Sequence, residues 1–318
     1  MRRGKSVSIG AFDLAAFEAA TGADRKTRAA ALDEMCCMTG FIVLSGHGVA
    51  AKTIHDMWAA ADAFFALDNA SKQAVRPPVA GGPYGYLGPD QEALAKSKGV
   101  DTPPDLKESF NGRAFPLQVQ VDDPQSQAFA SARTPWPELV GFREAWAAYY
   151  QAVEDLGGRI MCAFAEALDL PTDFFAPFGT EPASALRALH YPATRGQALV
   201  GQQRAGAHTD YGALTILLPQ QGSQGLQVKQ DDGWIDVNAP KDTFVINIGD
   251  LMARWTADRW VSTLHRVVAK PDQPKRLSLA YFYQPNWDAV IKPLDGSAAY
   301  PPIAFGDYLM GKFNAASG

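Results

Sequence analysis

Cysteine, histidine and clustered basic charge are all scarce in this chain, and each scarcity removes a class of function. Only three cysteines, Cys36, Cys37 and Cys162, occur among 318 residues. Their number is odd, two are adjacent, and none has zinc-site spacing, which argues against a disulfide framework and a cysteine-built metal centre. Lysine and arginine number 29 against 34 acidic residues, a formal charge of −5, with no basic stripe or run. Nucleic acid is therefore not an expected partner. No apolar run reaches the roughly 18 residues that a membrane span needs. The basic start Met1-Arg2-Arg3-Gly4-Lys5 leads into no apolar stretch, so neither membrane nor secretory route is expected. These absences point to a cytoplasmic protein with free thiols.

What remains is ordinary globular material, 47% hydrophobic and 20% charged. Residues 6–9 alternate Val7 and Ile9 with serine, a short edge strand. Residues 24–38 have helical character, and 40–44 form a buried strand ended by Gly46-His47-Gly48, with His47 a turn residue. From 50 to about 74, Ile54, Met57, Trp58, Ala61, Phe64 and Phe65 recur at three and four, an amphipathic helix with His55 on its solvated side. Residues 77–116, rich in Gly, Pro and charge, read as a long loop of the kind that carries function. A second long helix runs from about 137 to 168 and stops before Pro171.

After residue 183 the texture changes. Short strand candidates follow at 186–191, 214–218, 226–228, 234–237, 244–248 and 277–283, separated by turn signals, as in a sandwich or jelly roll. No linker intervenes. The expectation is one structural domain over 1–318, with a mainly helical region 1–183, a β core 184–293 and a C-terminal helix or tail 294–318.

The chain has only five histidines. His208-Thr209-Asp210, read as a strand, sets an imidazole and a carboxylate on one face. His265, in Thr263-Leu264-His265-Arg266-Val267, returns on a later strand. Two histidines and one carboxylate leave half an octahedron open, the arrangement of non-haem Fe(II) oxygenases. A surface His-Thr-Asp triplet with a structural role is the competing reading of the motif alone. Further on, Arg276 and Ser278 share a strand face, and a guanidinium fork beside a hydroxyl suits a carboxylate. A surface salt bridge with an incidental serine is the alternative there.

Longer stretches carry a resemblance. Leu186-Arg187-Ala188-Leu189-His190-Tyr191-Pro192, His208-Thr209-Asp210-Tyr211-Gly212-Ala213-Leu214-Thr215, Gly225-Leu226-Gln227-Val228, Trp234, Asn247-Ile248-Gly249-Asp250, His265-Arg266-Val267, Arg276-Leu277-Ser278 and Pro285-Asn286 resemble the isopenicillin N synthase-like branch of the Fe(II)/2-oxoglutarate-dependent oxygenases. Gly40-Phe41-Ile42-Val43-Leu44-Ser45-Gly46-His47-Gly48 resembles that family's opening helix–strand module, so the likeness spans nearly the whole chain.

The resemblance implies an α+β protein with a double-stranded β-helix (jelly-roll) core and a helical N-terminal region packed around it. It implies His208, Asp210 and His265 as ligands of Fe(II), and Arg276 with Ser278 as the clamp on the distal carboxylate of 2-oxoglutarate. Tyr191 matches a tyrosine that helps hold that end, with a plain core tyrosine as the alternative. The implied reaction uses O2, releases succinate and CO2, and hydroxylates or desaturates a small-molecule substrate. Asn247 and Asp250 are expected to shape a turn, and His190 to face away from Tyr191. The segment with Tyr84, Tyr86, Phe110 and Arg113 resembles one near the active-site mouth, making Phe110 and Arg113 candidate substrate contacts, with a loop ion pair as the alternative for Arg113. Residues 300–313 are expected to form a covering helix. Two other readings stay open: an Fe(II) oxidase of the isopenicillin N synthase type that uses no 2-oxoglutarate, and a jelly-roll binding protein without catalysis. Substrate identity and oligomeric state are not legible.

Overall fold

A computed structural model describes residues 8–317 apart from 80, 90, 195, 197 and 232. The chain runs through β1 (Gly10–Asp13), α1 (Leu14–Ala19), α2 (Gly22–Met38), β2 (Phe41–Ser45), α3 (Ala51–Phe65), α4 (Asn69–Gln73), β3 (Gly85–Leu87) and β4 (Glu108–Gly112). Then come α5 (Pro124–Ala130), α6 (Phe142–Ala167), β5 (Ala185–Tyr191), β6 (Ala205–His208), β7 (Leu214–Pro219), β8 (Leu226–Gln230) and β9 (Gly233–Asp236). It ends with β10 (Phe244–Ile248), α7 (Asp250–Trp255), β11 (His265–Val267), β12 (Arg276–Tyr283) and α8 (Phe305–Ser317). No helix among the described residues is long and apolar enough to cross a membrane.

Eight strands form one sheet in the order β1-β2-β10-β7-β12-β5-β4-β3, and a smaller sheet of order β6-β11-β8-β9 faces it. Every pairing is antiparallel except that of β1 with β2. This is the jelly-roll plan, with helices on one side of the larger sheet. Because side chains alternate along a strand, each strand of the larger sheet serves two environments. Leu186, Leu279 and Ile246 point outward and join the main core with Trp146, Val153 and Phe164 of α6. Leu189, Tyr191, Ala280 and Val245 point inward, toward Val228 and Val267 of the smaller sheet. The outer core is large and aromatic, each buried side chain contributing about 1.5–3 kcal/mol. The inner apolar cluster is small, and the space beside it belongs to polar groups.

Helix α6 buries an apolar stripe at three- and four-residue spacing, as its sequence predicts. At Gly157 it comes so close to the sheet that a Cβ would meet Tyr283 at 2.2 Å. The expected helix over 50–74 is broken in two. Asp68 ends the interruption by capping α4, its carboxylate accepting from the Ser71 N–H at 2.7 Å. The segment 77–116 is not the structureless loop that its glycines and prolines predict. It supplies β3 and β4, because β4 finds a partner in the distant β5, from Glu108 opposite His190 to Gly112 opposite Leu186. Such pairing overrides weak local propensity. Of the proposed edge strand 6–9, Ser6 and Val7 lie outside the described residues, and the first strand begins at Gly10.

Candidate active site

β6 ends on His208 and β11 begins on His265, and the two are register partners. Their rings therefore meet, with centroids 4.3 Å apart. Asp210 lies just past the strand, in a turn fixed by the Asp250 N–H donating to the Asp210 carbonyl at 2.7 Å. Gly249 permits that approach, since a Cβ there would stand 2.1 Å from the Gly212 carbonyl oxygen.

Nδ1 of His208 lies 2.7 Å from the Gly206 carbonyl oxygen, and Nδ1 of His265 lies 3.1 Å from that of Thr263. Each ring thus donates from Nδ1 and keeps an Nε2 lone pair for a metal. Burial first, then the neighbouring His265, pushes His208 well below its ordinary pKa, so this ring is neutral. Asp210 Oδ2 accepts from Thr215 Oγ1 at 2.6 Å and from Asn247 Nδ2 at 2.8 Å. Its Oδ1 stands 3.7 Å from Nε2 of His208 and 3.8 Å from Nε2 of His265. One donor atom from each residue lies within 4.8 Å of the others. Neighbouring ligands about 2.1 Å from a metal stand roughly 3 Å apart, so a small inward shift closes the set on an ion. The donors fit Fe(II), with two imidazoles and one carboxylate on one side.

Arg276, opposite Tyr191 in the β12–β5 ladder, is buried on the same inner face. Its guanidinium carbon sits 4.8 Å from the Tyr191 ring centroid, and one Nη donates to the Gln224 carbonyl at 3.2 Å. Its Nε is buried without a partner, and no carboxylate among the described residues pairs with it. Ser278, two residues on, is buried beside it on that face. Arg204 adds a second buried guanidinium, donating to the carbonyls of Pro192 and Pro274 at 3.0 and 2.7 Å. Burial, followed by repulsion from Arg276, lowers its pKa. A buried cation without a counter-charge is costly, which makes this end of the interior a place for an anion.

The other two candidates are not brought here. Phe110 is fully buried on the helical side, with ring centroids 4.9 Å from Phe64 and 5.2 Å from Trp146. Arg113 is held by the Pro182 carbonyl at 2.7 Å. For Phe110 the reason is strand phase: on β4 it is Ser109 and Asn111, opposite Leu189 and Arg187, that share the inner face, while Arg113 lies past the end of the strand. His190 faces away from Tyr191 as expected, 2.8 Å from Glu108 and stacked on Phe65. His47 accepts from the Val49 N–H at 3.0 Å in its turn, and His55 is exposed. α8 does cover this end, with Phe313 edge-on to Tyr211 and Lys312 paired to Asp250 at 2.7 Å. Sequence reasoning missed Thr215 and Asn247, the two groups that orient Asp210. Their inward phase on β7 and β10 was the available signal.

Comparison with known proteins agrees with this geometry. Residues 182–285 match the 2OG-Fe(II) oxygenase superfamily, and residues 9–139 match the non-haem dioxygenase in morphine synthesis N-terminal family. A 2-oxoglutarate-dependent dioxygenase of Monascus ruber is 36% identical over 273 residues, 82% of this chain and 79% of the relative. Validamycin A dioxygenase of Streptomyces hygroscopicus subsp. limoneus is 33% identical over 96% of this chain and 86% of its own. Among solved structures, a full-length Neurospora crassa protein in complex with alpha-KG and thymine superposes with a TM-score of 0.83 at 31% identity, covering 96% of both chains. A 2OG-Fe(II) oxygenase family protein from Caulobacter crescentus gives 0.80 at 31%, covering 96% of this chain and 99% of its own. Relatives this similar over nearly the full length make the chain a member of the Fe(II)/2-oxoglutarate-dependent oxygenases, a dioxygenase that uses iron, 2-oxoglutarate and O2.

Proposed function

We propose that His208 and His265, through Nε2, and Asp210, through Oδ1, hold the Fe(II) of this enzyme. Arg276 and Ser278 hold the distal carboxylate of 2-oxoglutarate, and the Tyr191 ring braces the guanidinium. The observation that carries this reading is the convergence of three donor atoms, on buried Asp210 and His265 and half-buried His208, whose side chains have their other polar atoms already hydrogen-bonded. With its partners bound, the iron supplies oxidative decarboxylation of 2-oxoglutarate to succinate and CO2, coupled to hydroxylation or desaturation at an unactivated C–H bond.

The chain's own contribution is geometry and dryness. The Gly206 and Thr263 carbonyls fix the imidazole tautomers. Thr215 and Asn247 fix the carboxylate rotamer so that Oδ1 faces the metal. Arg276 offers a free Nε to the cosubstrate, and its Nη1 is anchored on Gln224 so that the fork does not swing away. The inner cluster of Leu189, Val228 and Ala280 keeps water from the space between.

The oxidase alternative, without 2-oxoglutarate, is disfavoured because the matching relatives are named for 2-oxoglutarate dependence. We also place the chain in the isopenicillin N synthase-like branch, on the strength of Arg276-Leu277-Ser278 and the opening strand at Phe41–Ser45. It acts as one domain, since β1 to β4 share a sheet with the core strands, and in the cytoplasm, where Cys36, Cys37 and Cys162 stay reduced. Anaerobic Fe(II) titration tests the central assignment. Asp210→Ala is expected to bind iron at least about a hundredfold more weakly, because one of three protein ligands is gone. Wild-type affinity in that variant would remove Asp210 from the site.

A further inference from the structure

The inner face carries one more polar group that neither the iron ligands nor the 2-oxoglutarate clamp uses. On β5, Arg187 lies four residues before Tyr191, so it points to the same side as Leu189 and Tyr191. Its partners across the sheet are Asn111 on β4 and Ala280 on β12, all in one inward-facing row. That row is next to the one in which Phe282 opposes Thr215, the residue whose hydroxyl holds Asp210. Substrate bound against this row would lie beside the metal ligands.

Arg187 is rigidly supported. One Nη donates to Glu92 Oε1 at 2.5 Å and to Ser109 Oγ at 3.0 Å. Glu92 lies 3.5 Å from Lys107 Nζ, which lies 2.8 Å from Asp105 Oδ2. Asp105 Oδ1 accepts from the Gly206 N–H at 2.9 Å, and the Gly206 carbonyl accepts a hydrogen bond from Nδ1 of His208. An unbroken chain of contacts thus runs from a metal ligand to Arg187. It contains two cations and two carboxylates. Burial alone would raise the pKa of Glu92, but Arg187 and Lys107 bring it down to about 2, so Glu92 is a carboxylate between them at neutral pH.

Two buried atoms beside this chain have no partner: Nε of Arg187, a donor, and Oδ1 of Asn111, an acceptor. They belong to directly opposed residues, whose Cβ atoms stand about 4.5–5.5 Å apart in an antiparallel pair. Buried polar atoms left unpaired are costly and call for a partner. With the local charges already matched, an anion would bring an uncompensated charge, whereas a neutral group with one donor and one acceptor satisfies both atoms.

Building on the iron and 2-oxoglutarate assignments above, we propose that Arg187 and Asn111 are the substrate-reading pair. The group they take is uncharged and sets an N–H donor beside a carbonyl, as in a lactam, amide or imide. Arg187 Nε donates to the carbonyl and Asn111 Oδ1 accepts from the N–H. The carbon to be oxidised then lies on the far side of the substrate, toward His208 and Asp210.

Ligand-observed NMR under anaerobic conditions tests this on the full chain loaded with Zn(II), a redox-inert stand-in for iron, and 2-oxoglutarate. The probes are 2-piperidinone, 2-pyridone and uracil, their N-methylated counterparts, and benzoate. At least one N–H probe is expected to bind about tenfold or more tightly than its N-methyl counterpart, because a site built to hydrogen-bond rejects an analogue lacking the donor. Benzoate is expected to bind weakest. Arg187→Lys keeps a cation for Glu92 but has no Nε, and Asn111→Leu keeps the side-chain shape. Each should weaken the preferred probe about tenfold while the 2-oxoglutarate affinity stays at the wild-type value. N-methylation without effect, benzoate binding best, or unchanged probe affinity in both variants would overturn the proposal. Failure of the wild type to bind metal and 2-oxoglutarate at all would instead overturn the underlying site assignment.

Discussion

The two faces of the eight-stranded sheet are made by the same strands, yet they serve opposite ends. On β12, Leu277, Leu279 and Tyr281 point to the helices and are buried in a large aromatic core. Arg276 and Ser278, alternating with them, point inward and are buried opposite Tyr191 and Leu189. On β10, Phe244, Ile246 and Ile248 go outward, whereas Asn247 turns in to hold Asp210. The outer face is filled with apolar volume and supplies stability. Buried donors lack a partner on both sides, at Trp146 and Tyr149 among the helices and at Arg276 and Arg187 on the inner face, but the inner ones are cations, whose burial costs more. One residue of register therefore separates structure from function.

Substitutions on the two faces should fail differently. Trp146→Ala, on the helical side, is expected to cost about 3–5 kcal/mol of stability by denaturant unfolding, the range for a buried tryptophan. Folded protein of this variant should bind Fe(II) as the wild type does, and a loss of iron affinity with intact stability would break the division. On the inner face, Asn247→Ala should weaken Fe(II) binding about 10- to 100-fold in anaerobic titration, as removal of a group orienting a metal ligand does. Unchanged affinity would mean that Thr215 alone sets the Asp210 rotamer. Arg276→Lys should raise the dissociation constant for 2-oxoglutarate about tenfold by calorimetry, since an ammonium cannot present a fork. An unchanged constant would move the anion elsewhere, with Arg204 the next residue to replace.

The smallest expected effect sharpens the contrast from the outer side. Burial alone would raise the pKa of Glu108, but hydrogen bonds from His190, Tyr86 and Lys72 bring it down to about 2. A depressed carboxylate stabilises the fold above its ordinary value near 4.5, and that stabilisation fades as pH falls toward 2. Glu108→Gln should therefore lower Tm by roughly 2–4 °C at pH 7, with the difference shrinking below about pH 4.5. A gap in Tm independent of pH would show that the network acts by packing alone.

How much of this was legible before the fold was known depended on spacing and on phase. His208, Asp210, Arg276 and Ser278 stand out because each pair alternates within three residues, and His265 because histidines are few. Elements with strong periodicity, such as α6, read correctly in place and length to within a few residues. The segment 77–116 did not, because β4 is five residues of mixed polarity whose partner, β5, lies far along the chain. That same blindness put Phe110 at the site. Without the β4–β5 register, nothing in Glu108-Ser109-Phe110-Asn111-Gly112 says which alternate residues face inward, and the aromatic was the wrong set. Thr215 and Asn247 were hidden for a different reason: their role is to hold Asp210, 5 and 37 residues away, and only their inward phase on β7 and β10 marks them.

The central claim is a place for a metal ion, so the most direct test is to see it. A crystal grown without oxygen with Fe(II) and 2-oxoglutarate, measured at the iron absorption edge, should give one anomalous peak about 2.0–2.3 Å from Nε2 of His208, Oδ1 of Asp210 and Nε2 of His265. The distal carboxylate of 2-oxoglutarate should lie against Arg276 and Ser278. A peak at any other position, or none at this one, would contradict the account.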